Sequence, residues 1–186
     1  MTAETLTGGR ATKRALKGAF SMQNAGLMVP LFGWYPIAAN VEDGDIFEML
    51  WIPRRTIIFG GQITAADLDQ GTEALDMDLG WAANGGASTD TYTFPHEVGE
   101  DADVAATDMT LSNAGYQADP DGLGNLGVWS GDGVTDLFAA GQIYRPIVLT
   151  RPLYFSRDTK VQLEANVAAN SFVAGDVTVT LFGMRV

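Results

Sequence analysis

The feature that most constrains this chain is a two-residue alternation near its C-terminus. Val161, Leu163, Ala165 and Val167 alternate with Lys160, Gln162, Glu164 and Asn166. After residues 168–175 the rhythm resumes, with Val177, Val179 and Leu181 set against Asp176, Thr178 and Thr180. Successive side chains of a strand point to opposite faces, so each segment reads as a strand with one face in a core and one toward water. Two such segments joined by a turn predict a hairpin.

The same period recurs upstream. Leu75, Met77, Leu79 and Trp81 alternate with Asp76, Asp78 and Gly80. Residues 45–52 read as a strand, and the unbroken apolar run Met49, Leu50, Trp51, Ile52 implies that it faces two layers. Pro53-Arg54-Arg55 breaks the chain, and residues 56–64 then place Ile57, Phe59 and Ile63 on one face. Gly60-Gly61 marks a bulge or a close backbone approach. Short strands separated by Gly and Asp turns predict an all-β fold, an antiparallel β-sandwich of jelly-roll-like type with at most one short helix. That helix is expected between Asp101 and Gly115, where Asp101 and Asp103 offer caps and Asn113-Ala114-Gly115 a stop. Residues 119–133, dense in Gly and Asp, predict a long loop.

Charge divides the chain of 186 residues into an arm and a body. Residues 1–26 are rich in Thr, Gly and Ala, and hold Arg10, Lys13, Arg14 and Lys17 against one acid, Glu4. Such a segment buries too little apolar surface to offset its ordering entropy, so it is expected to be an extended arm that orders on a partner. Residues 27–186 form the body. Between Thr56 and Tyr144 there is no Lys or Arg, and the net charge of the chain is −12. An acidic body repels nucleic acid, so no nucleic-acid partner is expected. No apolar run approaches the roughly 20 residues of a membrane span, and the basic N-terminus lacks the apolar stretch of a secretory signal.

The residues that carry chemistry are sparse. Cysteine is absent and His96 is the one histidine, which leaves no thiolate nucleophile and no donor set for zinc. Ser130 lacks the glycine spacing of a nucleophile elbow, and no phosphate-binding loop occurs. Asp119-Pro120-Asp121-Gly122 and Gly131-Asp132-Gly133 place hard oxygens in glycine turns without completing a calcium loop. No catalytic residue, metal or cofactor is therefore expected. The aromatics Trp34, Tyr35, Trp51, Trp81 and Trp129 could in principle stack on sugars. Trp51 and Trp81 lie on apolar strand faces and are expected in the core. Phe32, Trp34 and Tyr35 lie in a segment punctuated by Pro30 and Pro36, which suits an oligomer interface.

Several passages resemble a known group of proteins. Pro152-Leu153-Tyr154-Phe155-Ser156-Arg157-Asp158-Thr159-Lys160-Val161, continuing into Val177-Thr178-Val179-Thr180-Leu181-Phe182-Gly183, looks like the closing strands of structural proteins from tailed-phage head modules. Ile52-Pro53-Arg54-Arg55-Thr56, Ile63-Thr64-Ala65-Ala66-Asp67-Leu68-Asp69 and Leu75-Asp76-Met77-Asp78-Leu79-Gly80 resemble the strands that precede them. The resemblance covers residues 40–82 and 143–183 and is one of order and style. It implies a capsid decoration, or cement, protein: a sandwich on the outer surface of an icosahedral shell in the virion, assembled in the host cytoplasm. Its partner would be the major capsid protein, bound across subunit joints, and its state a homotrimer. The arm residues Arg10, Lys13, Arg14 and Lys17 would then meet acidic patches of the shell. A tail, baseplate or head-fibre protein, and a carbohydrate-binding sandwich module, remain as other expectations for such a composition.

Overall fold

The computed structural model describes residues 5–7, 28–69, 74–94, 109–128 and 143–186. The strands are β1 (Thr5–Thr7), β2 (Met28–Ile37), β3 (Ile46–Ile52), β4 (Thr56–Ala65), β5 (Asp76–Trp81), β6 (Thr91–Phe94), β7 (Met109–Ser112), β8 (Asp119–Val128), β9 (Ile143–Ile147), β10 (Leu153–Phe155), β11 (Thr159–Val167) and β12 (Gly175–Arg185). They form two sheets that share one core, with a small β6–β7 ribbon beside them. The first sheet runs β1-β3-β11-β5-β8 and the second β10-β4-β12-β2, with β9 on the same edge of β4 as β10. Apart from the parallel β1–β3 pair, neighbouring strands are antiparallel. The fold is an all-β sandwich, as the alternation predicts.

The alternation does not give the pairing. β11 and β12 are not a hairpin: β11 lies between β3 and β5 in one sheet, and β12 between β4 and β2 in the other. The chain likewise changes sheet at each step from β2 to β5. Period two reports which face of a strand is buried, and an arch between sheets buries the same face as a hairpin within one. Val161, Leu163 and Ala165 from β11 and Val177, Val179 and Leu181 from β12 lie in the common core, each at most 1 % exposed.

Two bulges explain the irregular apolar runs. In β3, Leu50 pairs with Val161 but Glu48 pairs with Gln162, so Met49 is the extra residue. The slip lets Phe47, Met49, Leu50 and Ile52 all be buried. Trp51 falls on the outer face and is half-buried, not in the core as its sequence neighbours suggest. In β4 the register passes from Phe182↔Gly60 to Gly183↔Ile58, skipping Phe59. Ile63 and Ile58 therefore join the main core, whereas Ile57 and Phe59 join a second cluster with Leu111, Tyr154, Tyr92 and Phe94. The single apolar face expected for Ile57, Phe59 and Ile63 is thus split between two cores. Gly33 closes the sandwich on the β2 side. A Cβ there would press on the Met49 carbonyl and the Leu50 side chain.

Two expectations are corrected. The helix proposed between Asp101 and Gly115 does not form over its last part. Met109–Ser112 is strand β7, paired with β6, and only residues 114–116 make a 3-10 turn. Met109 and Leu111 alternate with Thr110 and Ser112, and that local phase decides the outcome. Residues 101–108 lie outside the described residues. The loop proposed for residues 119–133 is, over Asp119–Val128, strand β8 on the edge of β5. Two glycines, Gly122 on β8 and Gly80 on β5, serve close approach. A Cβ on Gly122 would collide with the Trp81 ring, and one on Gly80 with the Asp119 carbonyl. Leu163→Ala, at the centre of the core, should lower unfolding free energy by about 2–5 kcal/mol, measured by urea denaturation. A loss below about 1 kcal/mol would show that the two sheets do not share this core.

Candidate interaction surface

The outer face of the second sheet is apolar where it should be polar. Side chains of β2 at alternate positions point outward, and Met28, Phe32 and Trp34 are 62 %, 42 % and 43 % exposed. Beside them on β12, Phe182 is also exposed and Met184 half-buried. The register joins these into one patch, with Met184 opposite Met28, Phe182 opposite Pro30, and Thr180 opposite Phe32. Exposed aromatic and Met side chains clustered on a flat strand surface have the composition of an interface. Tyr35 behaves differently from its neighbours. Its ring packs edge-on against buried Phe47, with centroids 5.3 Å apart, and turns toward the core. Met28, Phe182 and Met184 were not singled out in the sequence. The available signal was phase, since Phe182 and Met184 are apolar at the outward positions of β12.

The outer face of the first sheet is polar and ion-paired. Glu48 on β3 pairs with Lys160 on β11, whose ammonium also lies 5.5 Å over the Trp51 ring. Farther along β11, Asn166 donates its side-chain amide to Asp78 Oδ2 on β5 at 2.7 Å. Burial, and then the charge of Asp78, push the Asp76 carboxyl above its ordinary value. Asp119 is pushed up by burial, then by a hydrogen bond and charge from Asp121. Among the described residues, no three His, Cys, Asp or Glu side chains converge as a cation site.

Two buried polar hubs fix the loops. Asn113, almost wholly buried, donates to the Ala87 carbonyl, and its Oδ1 accepts from Gly115 N, Ser156 N and the Asn84 side-chain amide. At the far end of the sandwich, Asp69 is fully buried. Its Oδ2 accepts from Ala74 N at 2.7 Å and Leu75 N at 3.0 Å, and its Oδ1 from Ser171 N at 2.6 Å. Burial by itself would raise this carboxyl, but the amides of Ala74, Ser171, Leu75 and Asn170 outweigh it and hold the group below its ordinary value. The carboxylate thereby ties the segment after β4 to the β11–β12 connection.

Of the positions singled out by the sequence, Arg10, Lys13, Arg14, Lys17, His96, Trp129, Ser130 and Asp132 lie outside the described residues. Of the preceding arm, residues Thr5–Thr7 run parallel to Ile46–Glu48 as β1. The described members of the proposed stacking set do not form a platform. Trp34 is on the outer face of the second sheet, Trp51 on that of the first, and Trp81 is buried edge-on to Phe155, its indole N–H donating to the Gln117 carbonyl.

No family model matches the chain, and no curated protein matches its sequence. Solved structures do share its fold. The chain superposes on a protein in the capsid of Ralstonia phage GP4 with a TM-score of 0.58 and 13 % identity, over 98 % of this chain and 99 % of that one. It superposes on a chain of the cyanophage Pam1 capsid asymmetric unit with a TM-score of 0.52 and 14 % identity, over 90 % and 91 %. The sandwich is therefore a fold found, nearly end to end, in phage capsids.

The Asp69 clamp has a defined acid response. A carboxyl depressed in the folded state adds stability above its unfolded pKa of about 4 and loses it as pH falls toward the folded value. Asp69→Asn should destabilise the protein by about 1–3 kcal/mol near neutral pH. The gap between variant and wild type should narrow below about pH 4. Thermal melts across pH check this, and a gap unchanged down to about pH 2 would remove Asp69 as its source.

Proposed function

We propose that this protein is a virion structural protein that decorates the outer surface of an icosahedral phage capsid, binding the major capsid protein across subunit joints as a homotrimer. The observation that carries the reading is the shared architecture with a phage-capsid protein over nearly the whole of both chains. The surface suits the role. A rigid sandwich with an apolar outward patch on β2 and β12 can pack laterally against other copies, and weak contacts repeated over a symmetric shell add up. Phe32 and Trp34 are the anchors proposed for the trimer contact, with Tyr35 stiffening β2 from beneath. Arg10, Lys13, Arg14 and Lys17 provide a basic tether toward the shell.

Adding purified protein to shells that lack it, followed by cryo-electron microscopy, should place a β-sandwich at local three-fold positions on the outer surface. Density confined to the tail or baseplate would overturn the reading. The interface has its own test. Phe32→Ser with Trp34→Ser should leave a folded body, because both side chains already face outward, yet shift sedimentation from trimer toward monomer. An unchanged trimer would move the contact elsewhere.

A further inference from the structure

Four of the seven basic residues of the body gather at one end of the sandwich. Arg54 and Arg55 form the turn between β3 and β4, and Arg157 lies in the adjoining turn between β10 and β11. The two turns are tied together, with Arg54 N–H donating to Asp158 Oδ1 at 2.8 Å. The last strand ends at the same place. Arg185 is in register with Thr56, and Val186 N–H donates to the Arg55 carbonyl at 2.9 Å. Arg54, Arg55 and Arg157 are exposed and Arg185 is half-buried. Met28 pairs with Met184, so the chain also enters β2 at this end.

The arginine end also holds Asp90 and Asp158, whereas the opposite end holds carboxylates without arginines. Glu42, Asp43 and Asp45 precede β3, Asp67 and Asp69 follow β4, and Asp176 lies at the start of β12. The described connections there contain no Lys or Arg. Sequence order hides this division, because each end is built from segments far apart in the chain.

Arg55 adds a backbone constraint to the charge of this turn. Its φ is 57°, and it is the one non-glycine residue with positive φ among the described residues. Glycine adopts that conformation without steric penalty, and a side chain with a Cβ does not. An exposed arginine held where glycine would relieve the backbone indicates that its guanidinium has a task at the tip of the turn.

We infer that this arginine end is the docking face of the protein and that it takes an acidic polypeptide surface, with the carboxylate end directed away. The inference rests on the capsid reading and adds which pole meets the shell and the charge it meets there. Nucleic acid is the weaker partner for this end, since a chain of net charge −12 pays for approach to a polyanion over the rest of its surface.

The test is co-sedimentation of the full-length protein with shells that lack it, from about 50 to about 500 mM salt. Arg55→Gly should keep or raise the melting temperature while weakening shell binding about threefold or more. Arg54→Glu with Arg157→Glu should weaken it about tenfold or more and flatten its salt dependence. Glu42→Lys with Asp43→Lys, at the far pole, should bind within about twofold of wild type. Wild-type binding by both arginine variants would overturn the inference and leave the capsid reading standing, as would loss of binding from the far-pole variant alone. Failure of the wild-type protein to bind any shell would remove the capsid reading and this inference with it. Tighter binding to duplex DNA than to shells, lost in the arginine variants, would assign the face to nucleic acid instead.

Discussion

The structure depends on the burial of one phase of two strands that do not touch as hydrogen-bonded neighbours. β11 is central in the first sheet and β12 in the second, and their inward residues lie in the same core. Each fully buried Val or Leu contributes about 1.5–3 kcal/mol relative to exposure. A one-residue slip of either strand would exchange that apolar row for its polar one. Register is therefore fixed from the centre outward, and the remaining strands are placed against it.

Irregularities in the flanking strands follow from that fixed centre. Where the apolar pattern of β3 or β4 falls out of phase, the chain inserts a residue and does not slip the whole strand. The bulge in β4 has a structural consequence. It turns Ile57 outward, and the β6–β7 ribbon covers it with Leu111, Tyr92 and Phe94 to make a second small core at the arginine end. That end is thereby braced by packing, by the Arg54–Asp158 contact and by the C-terminal hydrogen bond to Arg55. A braced surface loses less freedom on binding than a loose one, which suits a docking face.

The molecule also separates its surfaces by chemistry. One outer face is polar, with Glu48 paired to Lys160 and Asp78 accepting from Asn166. The other is apolar at Met28, Phe32, Trp34 and Phe182. The two ends differ in composition, with Arg54, Arg55, Arg157 and Arg185 at one and no Lys or Arg in the described connections of the other. Such a division suits the proposed role, because lateral contact, docking and solvent exposure ask for different chemistry on different faces.

The fold class was legible in the sequence because strand periodicity is local. Val161–Val167 and Val177–Leu181 state which side chains are buried whatever their partners. The poverty of catalytic groups and the contrast between basic N-terminus and acidic body are likewise facts of composition. What period two does not encode is the partner of each strand, so the supposed β11–β12 hairpin became an arch between sheets. Glycine and aspartate mark turns only on average. In β8 Gly122 makes room for the Trp81 ring, and no local pattern could announce a ring contributed from some 40 residues upstream. The apolar outer patch and the arginine end were decided by tertiary structure alone. They join Met28 to Met184, and Arg54 and Arg55 to Arg157 and Arg185, across long stretches of chain. Such proximity is set by sheet register and crossing, which arise only when the core closes.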